Sequence, residues 1–308
     1  LSSGEKVAVF LGNMVVSSDN ASVIAANAAE VAKAAKATLG WLTAGGNTVG
    51  GYLANAVPAN GALTAEQMLA QSLRSYIVLH TEPAFDSDYG ARAVETLKAA
   101  ALSVALTPFR SAAEEWADVM LPIAPFTETS GSFVNAEGRV QSFKGAAAPL
   151  GETRPGWKVL RVLGNLFQLD GFDDETSESV RDTVLAAGIE ARLNNAINAK
   201  PALVAAAEGL ERVTDVPIYR SDALVRRAEP LQQTPSSVLP TALLNVATLT
   251  KLELVDGDNV RVRSAQGETV LPVQLDDTVA LGSVRISTAF AETASLGSSF
   301  GQLTVERV

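Results

Sequence analysis

Cysteine is absent from this 308-residue chain, and histidine occurs once, at His80. Without thiols the chain cannot ligate an iron–sulfur cluster, build a thiolate metal site or close a disulfide. One imidazole leaves almost no scope for a histidine-based metal centre. Positive charge is also short. The balance of 24 Lys and Arg against 34 Asp and Glu gives a net charge of −10 with no basic cluster, which argues against a nucleic-acid partner. No apolar run approaches the roughly 20 residues needed to cross a bilayer, so no direct membrane insertion is expected. The start, Leu1-Ser2-Ser3-Gly4-Glu5, lacks an initiator Met, a basic n-region and an apolar h-region, and the chain is expected to be a piece of a longer polypeptide.

What is present suits a well-packed protein: 47% of the residues are hydrophobic, and the length predicts two domains. Lys6-Val7-Ala8-Val9-Phe10-Leu11-Gly12 is a strand followed by an Ala-rich helix over residues 22–39, with a second short strand at Trp41-Leu42-Thr43. A single glycine after the first strand does not make a dinucleotide fingerprint. Residues 44–61 carry five glycines and three asparagines and are expected to hold no regular element; such a loop can approach a phosphate or a pterin, though most are simply irregular. Thr64-Ala65-Glu66-Gln67 reads as a capping box, with Met68, Leu69 and Leu73 as the buried stripe of a short helix.

Tyr76–Leu79 and Leu102–Leu106 are the next strands, separated by a helix over residues 91–101 in which Glu95 and Lys98 pair. His80 and Glu82 follow the first of them, at the carboxyl end of a strand, where ligands of open α/β sheets bind; a lone His there is more often structural. A short helix over 111–116, capped by Ser111, leads to Asp118. Strand and helix alternating at this spacing predict an α/β fold, a parallel sheet with helices on both faces.

From Asp118 the chain reads as a strand stopped by Pro122, then a hairpin whose turn dipeptides Ser130-Gly131 and Glu137-Gly138 flank Phe133-Val134-Asn135. A helix over 155–167 follows, with Trp157, Leu160, Leu163 and Phe167 on one face, packed back on the sheet. The acid-rich stretch 170–182 starts another helix capped at Thr176 or Ser177, and residues 230–240 form a linker or crossover. The last third changes to period two, with turns at Asp256-Gly257-Asp258 and Gln266-Gly267, which describes a small β-barrel. The expected domains are residues 1–235, an α/β domain with a helical extension, and residues 236–308, the barrel.

The order of residues in the central stretch resembles the molybdopterin oxidoreductase superfamily. The match comprises Ala117-Asp118-Val119-Met120-Leu121-Pro122, then Glu128, then Gly131-Ser132-Phe133-Val134-Asn135-Ala136-Glu137-Gly138-Arg139-Val140-Gln141, with Arg154-Pro155-Gly156-Trp157 beyond. The segment from Val255 to Val273 is similar to the superfamily's carboxy-terminal double-psi barrel. The ending Leu296-Gly297-Ser298-Ser299-Phe300-Gly301 before a last strand looks like the large iron–sulfur (G) subunits of bacterial NADH-quinone oxidoreductase, respiratory complex I, whereas active molybdenum members carry an Asn-x-Leu-Thr type segment there. Arg and Lys are also few near the loops where a pyrophosphate would need them.

The resemblance implies a scaffold part of the NADH-to-quinone arm with no cofactor and no catalytic residue of its own. The 2Fe-2S and 4Fe-4S clusters would belong to upstream domains of the parent subunit, the partners would be other peripheral-arm subunits, and the location would be the cytoplasmic side of the inner membrane. Asp118, Pro122, Glu128, Gly131, Asn135, Glu137, Gly138 and Arg139 would then be structural, with Arg139 paired to a carboxylate. An alternative is part of an active molybdopterin (bis-MGD) enzyme such as a formate dehydrogenase or nitrate reductase, in which Asn135, Glu137 and Arg139 line the pterin pocket. A second alternative is a free-standing α/β binding module.

Overall fold

The computed structural model describes residues 4–204 and 209–308. β1 (Ala8–Leu11) leads through one turn, α1 (Asn13–Val16), into α2 (Ala21–Ala34), and β2 (Thr38–Trp41) returns parallel to β1. The helix expected to reach residue 39 stops at Ala34. Lys36 takes φ +52 and the Ala37 N–H donates back to the Ala32 carbonyl at 2.7 Å, a left-handed cap closed on a residue that is not glycine. Alanine propensity says nothing of where a run ends, so the second strand falls three residues before the expected one.

Residues 44–61, expected to be irregular, contain α3 (Thr48–Leu53). Gly50 leaves no room for a Cβ beneath Asn47, whose Oδ1 accepts the Val134 N–H at 2.8 Å. The glycine there lets an asparagine fold over the helix and hold the distant hairpin. α4 (Ala65–Ala70) has the predicted capping box: Thr64 Oγ1 accepts from the Gln67 N–H and Gln67 Oε1 from the Thr64 N–H. Leu69 and Leu73 pack inward, but Met68 stands in solvent rather than on the buried stripe.

β3 (Ser75–Leu79), α5 (Pro83–Asp86), α6 (Ala91–Ala99), β4 (Leu102–Thr107) and β5 (Val119–Pro122) follow, with the three strands parallel in the order β3-β4-β5. One face of this sheet is sealed by Tyr76, Ala105, Val94, Leu97, Ala113 and Trp116. The single sheet covered on both faces therefore appears as two parallel sheets, β1-β2 and β3-β4-β5, and the outer row Ile77, Leu102 and Val119 faces solvent. The predicted helix at 111–116 is a 3₁₀ turn over Arg110–Ala112, because Ser111 Oγ accepts from Arg227 instead of capping. Lys98 pairs with Glu115 at 2.6 Å rather than with Glu95.

β6 (Gly131–Val134) and β7 (Val140–Phe143) form the hairpin, with Phe133 and Phe143 edge to face at 5.0 Å. α7 (Gly156–Leu166) starts against Leu79 and Ile123, yet Phe167 at its end is exposed rather than packed on the sheet. α8 (Ser177–Leu185) is capped by Thr176. An extended segment then crosses the α/β part. Arg192 donates to the Leu53 carbonyl, Asn195 Nδ2 to the Leu39 carbonyl at 2.9 Å, and Asn27 exchanges two bonds with the Ala202 backbone at 2.8 and 3.2 Å.

β8 (Leu210–Val213), the short helices α9 (Ala223–Arg226) and α10 (Glu229–Gln232), β9 (Ala242–Leu244), α11 (Val246–Lys251), β10 (Asn259–Arg263), β11 (Glu268–Leu275), β12 (Ser283–Arg285) and β13 (Gly301–Arg307) complete the chain. The strands close a six-stranded barrel in the order β10-β11-β9-β12-β8-β13, with β9-β11 and β8-β12 parallel and the remaining pairs antiparallel. The barrel thus draws β8 from well before residue 236. Val260, Val262, Leu271, Val284, Ile286 and Leu244 fill it.

Candidate functional site

The α/β part and the barrel meet around a cleft of about 640 Å³. Its floor is built at carboxyl ends: Ser17 beyond β1, His80 and Thr81 beyond β3, Pro108 and Phe109 beyond β4, Pro125 and Phe126 beyond β5. This is where open α/β sheets place their ligands. The opposite wall comes from Ser221–Leu224 ahead of and within α9 and from Thr288 and Ser299 of the barrel. His80 reaches the cleft in a left-handed conformation, φ +55, with its N–H on the Leu106 carbonyl at 2.8 Å.

Glu82, two residues on, is buried and turned away into a charge cluster. Its Oε2 accepts from Arg226 Nε at 2.8 Å and its Oε1 from Arg227 Nη2 at 2.6 Å, while Arg226 also forks onto Asp86 at 2.9 and 3.1 Å. Burial pushes the Glu82 carboxyl up, but the Arg227 hydrogen bond and the charges of Arg226 and Arg227 outweigh it and hold it below the usual carboxylate range. The two guanidiniums lie over Phe85 and Phe109 at 5.3 and 4.7 Å from the ring centroids. The cluster clamps α9 to the α/β part.

A second clamp joins the barrel. Asp88 Oδ1 accepts the N–H and the hydroxyl of Ser299 at 3.0 and 2.6 Å, and Gln266 Nε2 donates to the Asp88 carbonyl at 3.2 Å. Behind Ser299, the wholly buried Arg212 donates from Nη1 to the Gly297 and Ser298 carbonyls at 2.9 and 2.7 Å. Burial pulls its pKa down to about 10, partly offset by the Asp88 charge, so it stays charged at neutral pH. The cleft wall therefore carries Asp86, Asp88 and Asp222 and, among the described residues, no Lys or Arg. Two of its hydroxyls are engaged in structure: Ser87 Oγ donates to the Pro83 carbonyl and Ser299 Oγ to Asp88. No group of three or more His, Asp or Glu among the described residues converges to hold a metal ion.

The motif residues sit apart from this cleft. Asp118 Oδ2 accepts the Ser103 N–H at 2.7 Å, and Pro122 ends β5 opposite Thr107. Glu128 Oε2 accepts the Leu150 N–H at 2.9 Å. Gly131 lies under the Phe143 ring. Asn135 Oδ1 accepts the N–H groups of Glu137 and Arg139 at 3.1 and 2.9 Å, tying off the hairpin loop. Gly138 adopts φ +81 against Leu193, where a Cβ has no room. Arg139 is exposed, and the carboxylate partner expected for it is absent among the described residues. Asp222 Oδ1 accepts the Leu224 and Val225 N–H groups and caps α9 ahead of the Arg226-Arg227 doublet, and beyond that cap Arg212, Arg226, Arg227 and Asp88 carried no sequence signal.

A family model described as molybdopterin oxidoreductase matches residues 1–166, and one described as molydopterin dinucleotide binding domain matches residues 222–308. A putative formate dehydrogenase of Staphylococcus aureus is 38% identical over 78 residues, 24% of this chain and 8% of that protein. The mitochondrial NADH-ubiquinone oxidoreductase 78 kDa subunit of Candida albicans is 50% identical over 48 residues, 16% of this chain and 7% of that protein. Among solved structures, acetylene hydratase from Pelobacter acetylenicus superposes with a TM-score of 0.54 at 14% identity, covering 79% of this chain and 46% of that one, a likeness of fold. Each match spans less than half of the relative's own length.

Proposed function

The chain belongs to the molybdopterin oxidoreductase family, and on that premise we propose that it is the carboxy-terminal part of the large iron–sulfur (G) subunit of a bacterial NADH-quinone oxidoreductase. In this reading it is a scaffold of the NADH-to-quinone arm, with a double-psi barrel, held among the other peripheral-arm subunits on the cytoplasmic side of the inner membrane. The 2Fe-2S and 4Fe-4S clusters belong to domains upstream of Leu1.

The observation that carries the reading is the charge of the main cleft. A dinucleotide form of molybdopterin contains a pyrophosphate, which requires Arg, Lys or open helix N-termini. The described walls offer Asp86, Asp88 and Asp222 instead, and do not fit that group. Two tests bear on it. Protein purified from molybdenum-replete cells, denatured and oxidised, is expected to release no fluorescent pterin; release at one equivalent or more overturns the proposal. The coding sequence upstream of Leu1 is expected to carry Cys clusters at ferredoxin-like spacing.

The second reading, part of an active bis-MGD oxidoreductase, is favoured by the likeness to the staphylococcal putative formate dehydrogenase. Stoichiometric pterin in the same extraction would establish it.

A further inference from the structure

A smaller crevice, about 390 Å³, opens between the linker and the barrel and shares only Phe85 with the main cleft. Three guanidiniums reach it, and two are already engaged. Arg226 is divided between Glu82, Asp86 and the Arg220 carbonyl, and Arg227 between Glu82, Ser111 and the Ala223 carbonyl. Arg220, at the end of the turn Ile218–Arg220, is different. The carbon of its guanidinium lies 4.5 Å from the centroid of the buried Phe290 ring. Its Nε is buried without an acceptor, and among the described residues no carboxylate pairs with it. Leu239 and Pro240 supply an apolar wall.

We propose that this crevice binds a small oxyanion, a carboxylate or a phosphate group, on the donor edge of Arg220. A guanidinium resting on an aromatic ring has given up part of its freedom before it takes an anion in its fork. A buried donor without a partner is costly until an acceptor arrives. Glu292 also lines the crevice and opposes an anion, so it sets the affinity rather than the geometry. The inference stands whichever parent assembly the chain belongs to.

Titration of the protein with inorganic phosphate, and separately with acetate, at constant ionic strength tests it through the Arg Nε–Hε resonances. The Arg220 signal is expected to shift saturably with at least one anion. Tighter phosphate points to a phosphorylated ligand and tighter acetate to a carboxylate. Arg220→Gln is expected to weaken binding by about tenfold or more, Arg220→Lys by several-fold because the fork is lost, and Glu292→Gln to tighten it. Arg220→Lys and Glu292→Gln keep the result readable should Arg220→Gln not fold. Linear shifts without saturation for both anions, or binding unchanged in Arg220→Lys and Glu292→Gln, would overturn the proposal.

Discussion

Glu82 is a carboxylate removed from water and balanced by two guanidiniums, so its ionisation is tied to folding. Its pKa is lower in the folded chain than the ordinary 4.5, which means the unfolded chain holds the proton more readily. Its contribution is complete above that ordinary value and drains as pH falls through the lower folded one. Glu82→Gln is expected to cost about 3–5 kcal/mol in urea unfolding at pH 7, since the buried Arg226 loses one of its two carboxylate partners and Arg227 loses its own. The gap from the parent protein should narrow below pH 4.5; a gap independent of pH would refute the assignment. Arg212→Ala is expected to cost about 2–4 kcal/mol, because two backbone carbonyls lose their donor and a void opens in the barrel. The strand-end placement of Glu82 was legible from sequence alone. Its partner Arg226, 144 residues away, was not.

Helix and turn boundaries were legible where the stabilising contact is local. Thr64 forms the predicted box with Gln67, and Thr176, one of the two residues expected to cap α8, does so with Ser179 three residues on. Ser111 carries the same signal, but its hydroxyl accepts from Arg227, 116 residues away, and the helix does not form. The segment from residue 189 to residue 204, a 3₁₀ turn over Glu190–Arg192 followed by irregular chain, is an element of the second kind. It has no periodicity, and its course is set by Asn27, Leu39, Leu53 and Gly138. Asn27→Ala removes two hydrogen bonds to Ala202, worth about 1–3 kcal/mol together. Thermolysin is then expected to cut ahead of Leu203 several-fold faster, with little change in the global urea midpoint. Equal cutting rates in the two proteins would show that the contact does not hold the segment.

At the scale of the molecule, a parallel sheet normally has both faces covered. Here Ile77, Leu102 and Val119 form a bare apolar row, and Val162, Leu166 and Phe167 on and after α7 are exposed as well. Apolar surface of this kind associates in water. Size-exclusion chromatography over a wide range of loading concentrations is expected to show a rising apparent mass, and Ile77→Lys with Val119→Lys to suppress the rise. A constant monomeric elution volume at every loading would contradict it.

By itself the sequence determined the alternation of strand and helix, the hairpin after Pro122 with its turn at Glu137-Gly138, though Gly131 opens β6 rather than turning, the change to period two in the last third, and the family motif. Each of these rests on residues within a few positions of one another, where backbone sterics and short-range hydrogen bonds act without help from the rest of the chain. Only the tertiary structure decided that β8 joins a barrel closed by β13, that the cleft is walled by carboxylates, and that Arg212, Arg226 and Arg227 are held where they are. Those outcomes depend on contacts between residues about a hundred positions apart. Each is weak alone, and all are selected together by which apolar faces can be buried at once.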